Sequence, residues 1–224
     1  MTEDTKVVNI QEELRKQVAL MRETVAPPAG NVISLKGKQF TLPDGRQDKG
    51  PLNVIILDHV SANSYYTGAY NPKELTSPEC FAVGRNVAEM VPSKNVTTPQ
   101  HANCRDCPMN QWESATNGGK GKACKNTRRL LVIPEGTIDP EAQQYILNVS
   151  PSGIRFYDKY IDKLAGMGRH PIEFITEISF DPQETYPSLR FKAAEENSDV
   201  NLAWGLRSSG ETLLLQEPNA PDKS

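Results

Sequence analysis

The sequence predicts a mainly β domain with a few helices. Three observations carry that expectation: a series of short apolar, β-branched runs between residues 31 and 149, one amphipathic helix that interrupts the series, and a strand pair directly after it. At 224 residues the chain is long enough to bury a core without disulfide staples.

The elements follow in order. In residues 9–25, Ile10, Leu14, Val18, Met21 and Val25 fall at helical spacing, and Asn9 with Glu12 forms a capping-box pattern, so residues 1–29 read as an N-terminal helical arm. The "APPAGN" stretch breaks the helix and serves as a linker. Strands are expected within residues 31–42, 52–60, 80–84, 129–134 and 145–149, with Pro, Gly, Asn and Asp between them. In "SPSGIRFYDKYIDKLAGMG", Ser150 is a possible cap and Pro151 sits in the first turn. Ile154, Tyr157, Ile161 and Leu164 share a face, and Gly166 and Gly168 end the helix. "PIEFITEISF" then alternates Ile172, Phe174, Ile178 and Phe180 against Glu173 and Glu177, and "YPSLRFKAA" reads as its partner across "DPQET". Phe174, Phe180, Tyr186 and Phe191 are expected in the core. Strands, a helix and a final hairpin make up the order of an OB-fold, a five-stranded Greek-key barrel with its helix between the third and fourth strands. Residues 30–194 are therefore assigned to an OB-fold-like domain with an insertion at about 80–128, and residues 195–224 to a flexible, mildly acidic tail.

Charge is unevenly placed. The net charge is −3, yet residues 80–130 hold eight Lys or Arg against three acids. After Ala194 the acids Glu195, Glu196, Asp199, Glu211, Glu217 and Asp222 face only Arg207 and Lys223. A basic element beside an acidic end is the usual trace of a nucleic-acid-facing surface, with a plainly solvated surface as the alternative. The start of the chain lacks the basic and apolar regions of a signal peptide, and no apolar run approaches a membrane span, so the expectation is a cytoplasmic protein with no membrane partner.

The four cysteines, Cys80, Cys104, Cys107 and Cys124, read C-x23-C-x2-C-x16-C. A C-x2-C turn aims two thiolates at one ion, and two more complete a tetrahedral sulfur site of the structural zinc type. One Zn2+ per chain is expected; an iron–sulfur cluster and unliganded core cysteines are the alternatives. His101 is a reserve ligand should Cys80 point into the core, and otherwise an exposed loop residue.

Binding a single nucleic-acid strand needs a positive track for phosphates and aromatic faces for bases. Lys120, Lys122, Lys125, Arg128 and Arg129 form a cluster without an acid in it, whose alternative is a solvated loop. Tyr65, Tyr66 and Tyr70 lie in the polar stretch "NSYYTGAY" and Trp112 among polar residues, where packing is the alternative to stacking. For catalysis, the three histidines His59, His101 and His170 are far apart, and no Walker loop, GxSxG or HExxH occurs, so no enzymatic activity is expected.

A barrel with a cysteine-bound zinc element between strands, an N-terminal arm and an acidic tail resembles the single-stranded DNA-binding proteins of tailed phages, the T4-type helix-destabilising family. "CRDCPMNQW" followed by "GKGKACKNTRRLLVI", and "SPSGIRFYDKYIDKL" followed by "ITEISF", also resemble phage replication-region proteins. The resemblance covers roughly residues 30–194. The chain departs from the T4-type pattern in having four cysteines rather than three and a histidine, and in its mildly acidic tail. It implies a protein of phage DNA replication and recombination that binds single-stranded DNA with little base preference. The apolar stripe of the N-terminal helix is expected to bury against a neighbouring chain on the strand, with packing on its own barrel as the alternative, and the acidic tail to compete weakly with phosphate and, once displaced, to reach replication proteins. The alternatives are an iron–sulfur or metal-dependent nuclease using Asp58 and Glu79, and a zinc-containing adaptor that binds a host or replication protein through its N-terminal helix.

Overall fold

A computed structural model of the protein describes residues 30–68, 76–115 and 118–218. The expected N-terminal arm and Tyr70 lie outside the described residues. The fold is mainly β with a few helices, built on one mixed seven-stranded sheet. Its strands are β1 (Val32–Ile33), β4 (Leu52–Tyr65), β5 (Cys80–Gly84), β6 (Lys125–Pro134), β7 (Tyr145–Val149), β8 (Phe174–Phe180) and β9 (Leu189–Glu196). Their order is β1-β7-β6-β4-β8-β9, with β5 paired to the far half of β4; β2 (Phe40–Thr41) and β3 (Gln47–Asp48) form a separate two-stranded sheet. Among the described residues, β1 and β7 are the one parallel pair. Among the described residues no ladder joins β7 to β9, so the sheet is open where a closed barrel was expected.

Strand β4 organises the domain. Apolar residues run almost unbroken from Val54 to Leu57 because both sheet faces are covered there, and a continuous apolar run is what two-sided burial requires. A bulge between Ile56 and Asp58 reverses the alternation, so the strand carries a different set of side chains beyond it. One face packs Val54, Ile56, Leu130, Val132, Leu147 and Ile178 against Tyr157, Tyr160 and Leu164 of helix α1 (Pro151–Gly166). That helix starts with Pro151 at its first turn, as expected, although the Ser150 hydroxyl bonds to Ser152 and the Pro187 carbonyl rather than capping it. The Tyr160 hydroxyl reaches Thr176 Oγ1 at 2.7 Å, which satisfies both buried groups.

The other face corrects the sequence reading. In place of a flexible tail from residue 195, β9 runs to Glu196 and two helices follow, α2 (Val200–Ser209) and α3 (Glu211–Leu214). Ala203, Leu206 and Leu214 are buried against Ile55, Leu57, Leu131, Ile133 and Ile146. Apolar burial thus holds this segment in place, and three of its acids have partners elsewhere in the fold. Glu196 pairs with Arg169, Glu211 with Arg85, and Glu217 accepts from Ser93 and Asn95. Gly210 links the two helices where nothing larger fits, since a Cβ there would stand 1.9 Å from Gln144 Oε1 and 2.4 Å from Leu131 Cδ2.

Two smaller corrections concern the last strands. Ile172 sits in a 3-10 turn (Pro171–Glu173) and joins the α2 face, while Phe174, Ile178 and Phe180 belong to the α1 face. Phe174, Phe180 and Phe191 are partly buried against the core, whereas Tyr186, in the turn between β8 and β9, is 46% exposed. Among the described residues no helix is long and apolar enough to cross a membrane.

Candidate nucleic-acid interface and cysteine centre

Beyond the bulge, β4 sends alternate residues to two different places. Ala62, Ser64 and Tyr66 face a groove of about 440 Å³, together with Lys125, Thr127 and Arg129 of β6, and Ile146 and Asn148 of β7. The i, i+2 spacing of these sets follows from the pleat, which aligns one face of three adjacent strands. Leu213 and Gln216–Pro218 form a wall of the groove. Ser61, Asn63 and Tyr65 turn the opposite way, and Asn63 and Tyr65 face the cysteine element.

The predicted contact residues are distributed as follows. Trp112 is 75% exposed, with Lys122 Nζ 5.6 Å from its ring centre. Lys122 Nζ also donates to Asn110 Oδ1 at 3.3 Å, and Lys125 Nζ reaches the Lys122 carbonyl at 3.4 Å. Since Lys125 lines the groove, this links the groove floor to Trp112 in a chain of contacts, with Tyr66, 40% exposed, at the same end of the sheet. Lys120 is exposed on the adjoining loop. Three predicted residues are otherwise engaged. Tyr65 is buried in the small cluster around Cys80 and Cys124, where it offers no open face. Arg128 makes a two-pronged pair with Asp158 and donates to Ser61 Oγ. Arg129, its pKa lowered by burial, donates to the carbonyls of Leu214 and Gln216, and so is shared between the groove and the C-terminal segment.

All four cysteines are buried and line one cavity, together with His101, Asn63 and Asn110. Cys80 faces it from β5, and the C-x2-C turn is anchored where the Cys104 N–H donates to the Met90 carbonyl at 2.9 Å. The glycine-containing loop after Trp112 returns the chain, and the Cys124 N–H donates to the Met109 carbonyl at 2.7 Å. The cavity holds about 20 Å³, the room of one water-sized sphere. Burial raises the Cys104 and Cys124 thiols, the latter to about 12, and the other cysteines add to this in both cases. Among the described residues no three His, Cys, Asp or Glu donors stand as a ready coordination sphere. Four buried thiols on one cavity are a donor set of the type that a structural metal ion takes, although they are not arranged as one. His101 lines the same cavity, but its Nδ1 bonds to the Asn103 backbone, so the structure engages it in its own loop.

The carboxylates considered for a nuclease do not meet. Asp58 is buried and accepts from Arg85 at 2.7 Å and Arg207 at 3.1 Å. Glu79 bonds through its N–H to the carbonyl of Tyr65, which lies seven residues beyond Asp58 on β4, roughly 20 Å away at strand spacing.

Sequence reasoning missed the Asp58–Arg85–Arg207 network and the three asparagines around the cysteines. Nothing in a linear pattern marks Asn63 and Asn126 as partners, although their strands are adjacent ones of the central sheet. Compared with known proteins, the chain matches no family model, no curated relative and no solved structure.

Proposed function

We propose that the protein binds single-stranded DNA along the track from the β4–β6–β7 groove through Lys125 and Lys122 to Trp112. The observation that carries this reading is the Lys125–Lys122–Trp112 chain of contacts, which joins an open groove to the most exposed aromatic side chain among the described residues. A strand running along it would meet ammonium groups at its phosphates and the faces of Tyr66 and Trp112 at its bases. Every base has such a face, so selectivity for sequence would be small and for single strands large. The strand wiring supports the same reading. β4 pairs with both β6 and β8, β6 pairs with β7, and α1 falls between β7 and β8, an order compatible with an opened OB-fold-like sheet to which β1 and β5 are added.

The four cysteines would hold one Zn2+ as thiolates. Bound there, the ion would supply a cross-link between β5, the C-x2-C turn and the start of β6, and so fix the loop that presents Trp112 and Lys122. The reading assigns no catalytic step. It also implies that the protein acts in DNA replication or recombination, where single strands are exposed.

Fluorescence anisotropy with a labelled oligo-dT and a duplex of equal length tests the reading. Binding of the single strand at least tenfold tighter is expected; equal affinity for the two would overturn it.

A further inference from the structure

Three asparagine side chains form a directed chain beneath the cysteines. Asn110 Nδ2 donates to the Cys104 carbonyl at 2.6 Å, so Asn110 Oδ1 must face away and accept. Asn126 Nδ2 donates both to that oxygen, at 3.0 Å, and to Asn63 Oδ1, at 2.7 Å. With its oxygen turned to Asn126, the buried Asn63 is left with its N–H for the cavity that it lines together with Cys104 and the other three cysteines. The chain begins at the main chain of Cys104 and ends at Asn63, on the lining of the cysteine cavity. Every amide orientation in it follows from the one before.

We infer that Asn63 is a positioning residue for a sulfur-bound metal ion, an amide locked by Asn126 and Asn110 so that its N–H supports the Cys104 thiolate; this rests on the reading of the four cysteines as a metal centre. Four thiolates around a divalent ion carry a net charge of −2 in a buried place, and such charge must be met by donors and counter-charges. Asn63 supplies a donor. Lys122, two residues before Cys124 and donating to Asn110 Oδ1 at 3.3 Å, supplies a nearby positive charge. A neutral thiol makes no comparable demand for a fixed N–H. Asn63 and Asn126 lie on the central strands β4 and β6, so the ion would be oriented by the rigid sheet and not by the loops that carry Cys104 and Cys107.

The test uses the full chain titrated with cobalt(II), then competed with zinc against a chromophoric chelator. Asn63→Leu, close in size but without the donor, is expected to weaken metal binding 10–100-fold and move the sulfur-to-cobalt charge-transfer band to lower energy. Asn63→Ser, which keeps an O–H donor, should recover part of both. Should Asn63→Leu fail to fold, Asn126→Ala carries the same test, because it leaves Asn63 in place but frees its amide to turn. Affinity and band unchanged in the folded variants would overturn the role of Asn63 while leaving the metal centre standing. A wild-type chain that takes up no metal would overturn both.

Discussion

Arg128 and Arg129 are neighbours on β6 and serve opposite faces of the sheet. Arg128 Nη2 pairs with Asp158 Oδ2 of α1 at 2.9 Å, and Arg129 donates to the Leu214 and Gln216 carbonyls that end α3. Two adjacent positive charges therefore brace two different layers, and only one of them faces the groove.

The division gives different outcomes for the two positions. Arg129→Met should cost about 1–3 kcal/mol, because it leaves partly buried carbonyls without a charged donor. Arg128→Met should cost about 1 kcal/mol or less, since Asp158 is half exposed and can return to water. Chemical denaturation of the two variants checks the order.

Lys125 and Lys122 are the cations through which salt dependence should run. Each phosphate contact to a single strand contributes about 0.7 to the slope of log K against log salt. Lys125→Ala should lower that slope by about this amount, whereas Arg128→Met should leave it unchanged. Binding isotherms at four salt concentrations decide the matter.

Gly210 should tolerate no side chain. Gly210→Ala would press a methyl group into Gln144 and Leu131, and overpacking of this kind costs about 1–3 kcal/mol or more. The loss should show as a lower Tm, with greater proteolytic access to residues 200–218 than to β4 or β6.

Acid should weaken the fold in two separate stages. Burial lowers the pKa of His59, so the unfolded chain takes up this proton near pH 6.5 while the folded one resists it, and stability falls as pH drops below about 6.5. Burial alone would raise the Asp58 carboxyl, but the Arg85 side chain, the His59 N–H and Arg207 together hold it below its ordinary value. Its contribution is therefore complete above about pH 4 and is lost as pH falls through the lower folded value. Asp58→Asn should cost about 1–3 kcal/mol at pH 7, and the difference from wild type should vanish at strongly acid pH. A stability difference that stays constant with pH would refute the assignment.

How far the sequence could be read depended on the range of the interactions. The strands at 80–84 and 145–149 and the helix from Pro151 to Gly166 were legible, because their signals are local: apolar runs, a first-turn proline and terminal glycines. The length of β4 was not. Polar Ser61, Asn63 and Ser64 interrupt its apolar run, and only their neighbours on β5 and β6 make them strand residues. Residues 200–214 read as tail because net charge outweighed the apolar positions Val200, Ala203, Leu206, Leu213 and Leu214. Their burial depends on a sheet face formed far away in sequence. In the candidate site, the shared cavity of the four cysteines followed from C-x2-C spacing, and the exposed Trp112 from its polar surroundings. The burial of Tyr65 and the engagement of Arg128 and Arg129 come from long-range partners, which composition cannot register.

Trp112 provides the most direct test of the central claim that this track binds single strands. Trp204 is the other tryptophan, on α2, so a Trp204→Phe chain reports from Trp112 alone. Titrating that chain with oligo-dT at low and high salt should quench its fluorescence through base stacking, with weaker binding at high salt, and Trp112→Ala should weaken binding by about 1–3 kcal/mol. Saturable binding with no change in Trp112 emission, or no binding at low salt, would contradict it.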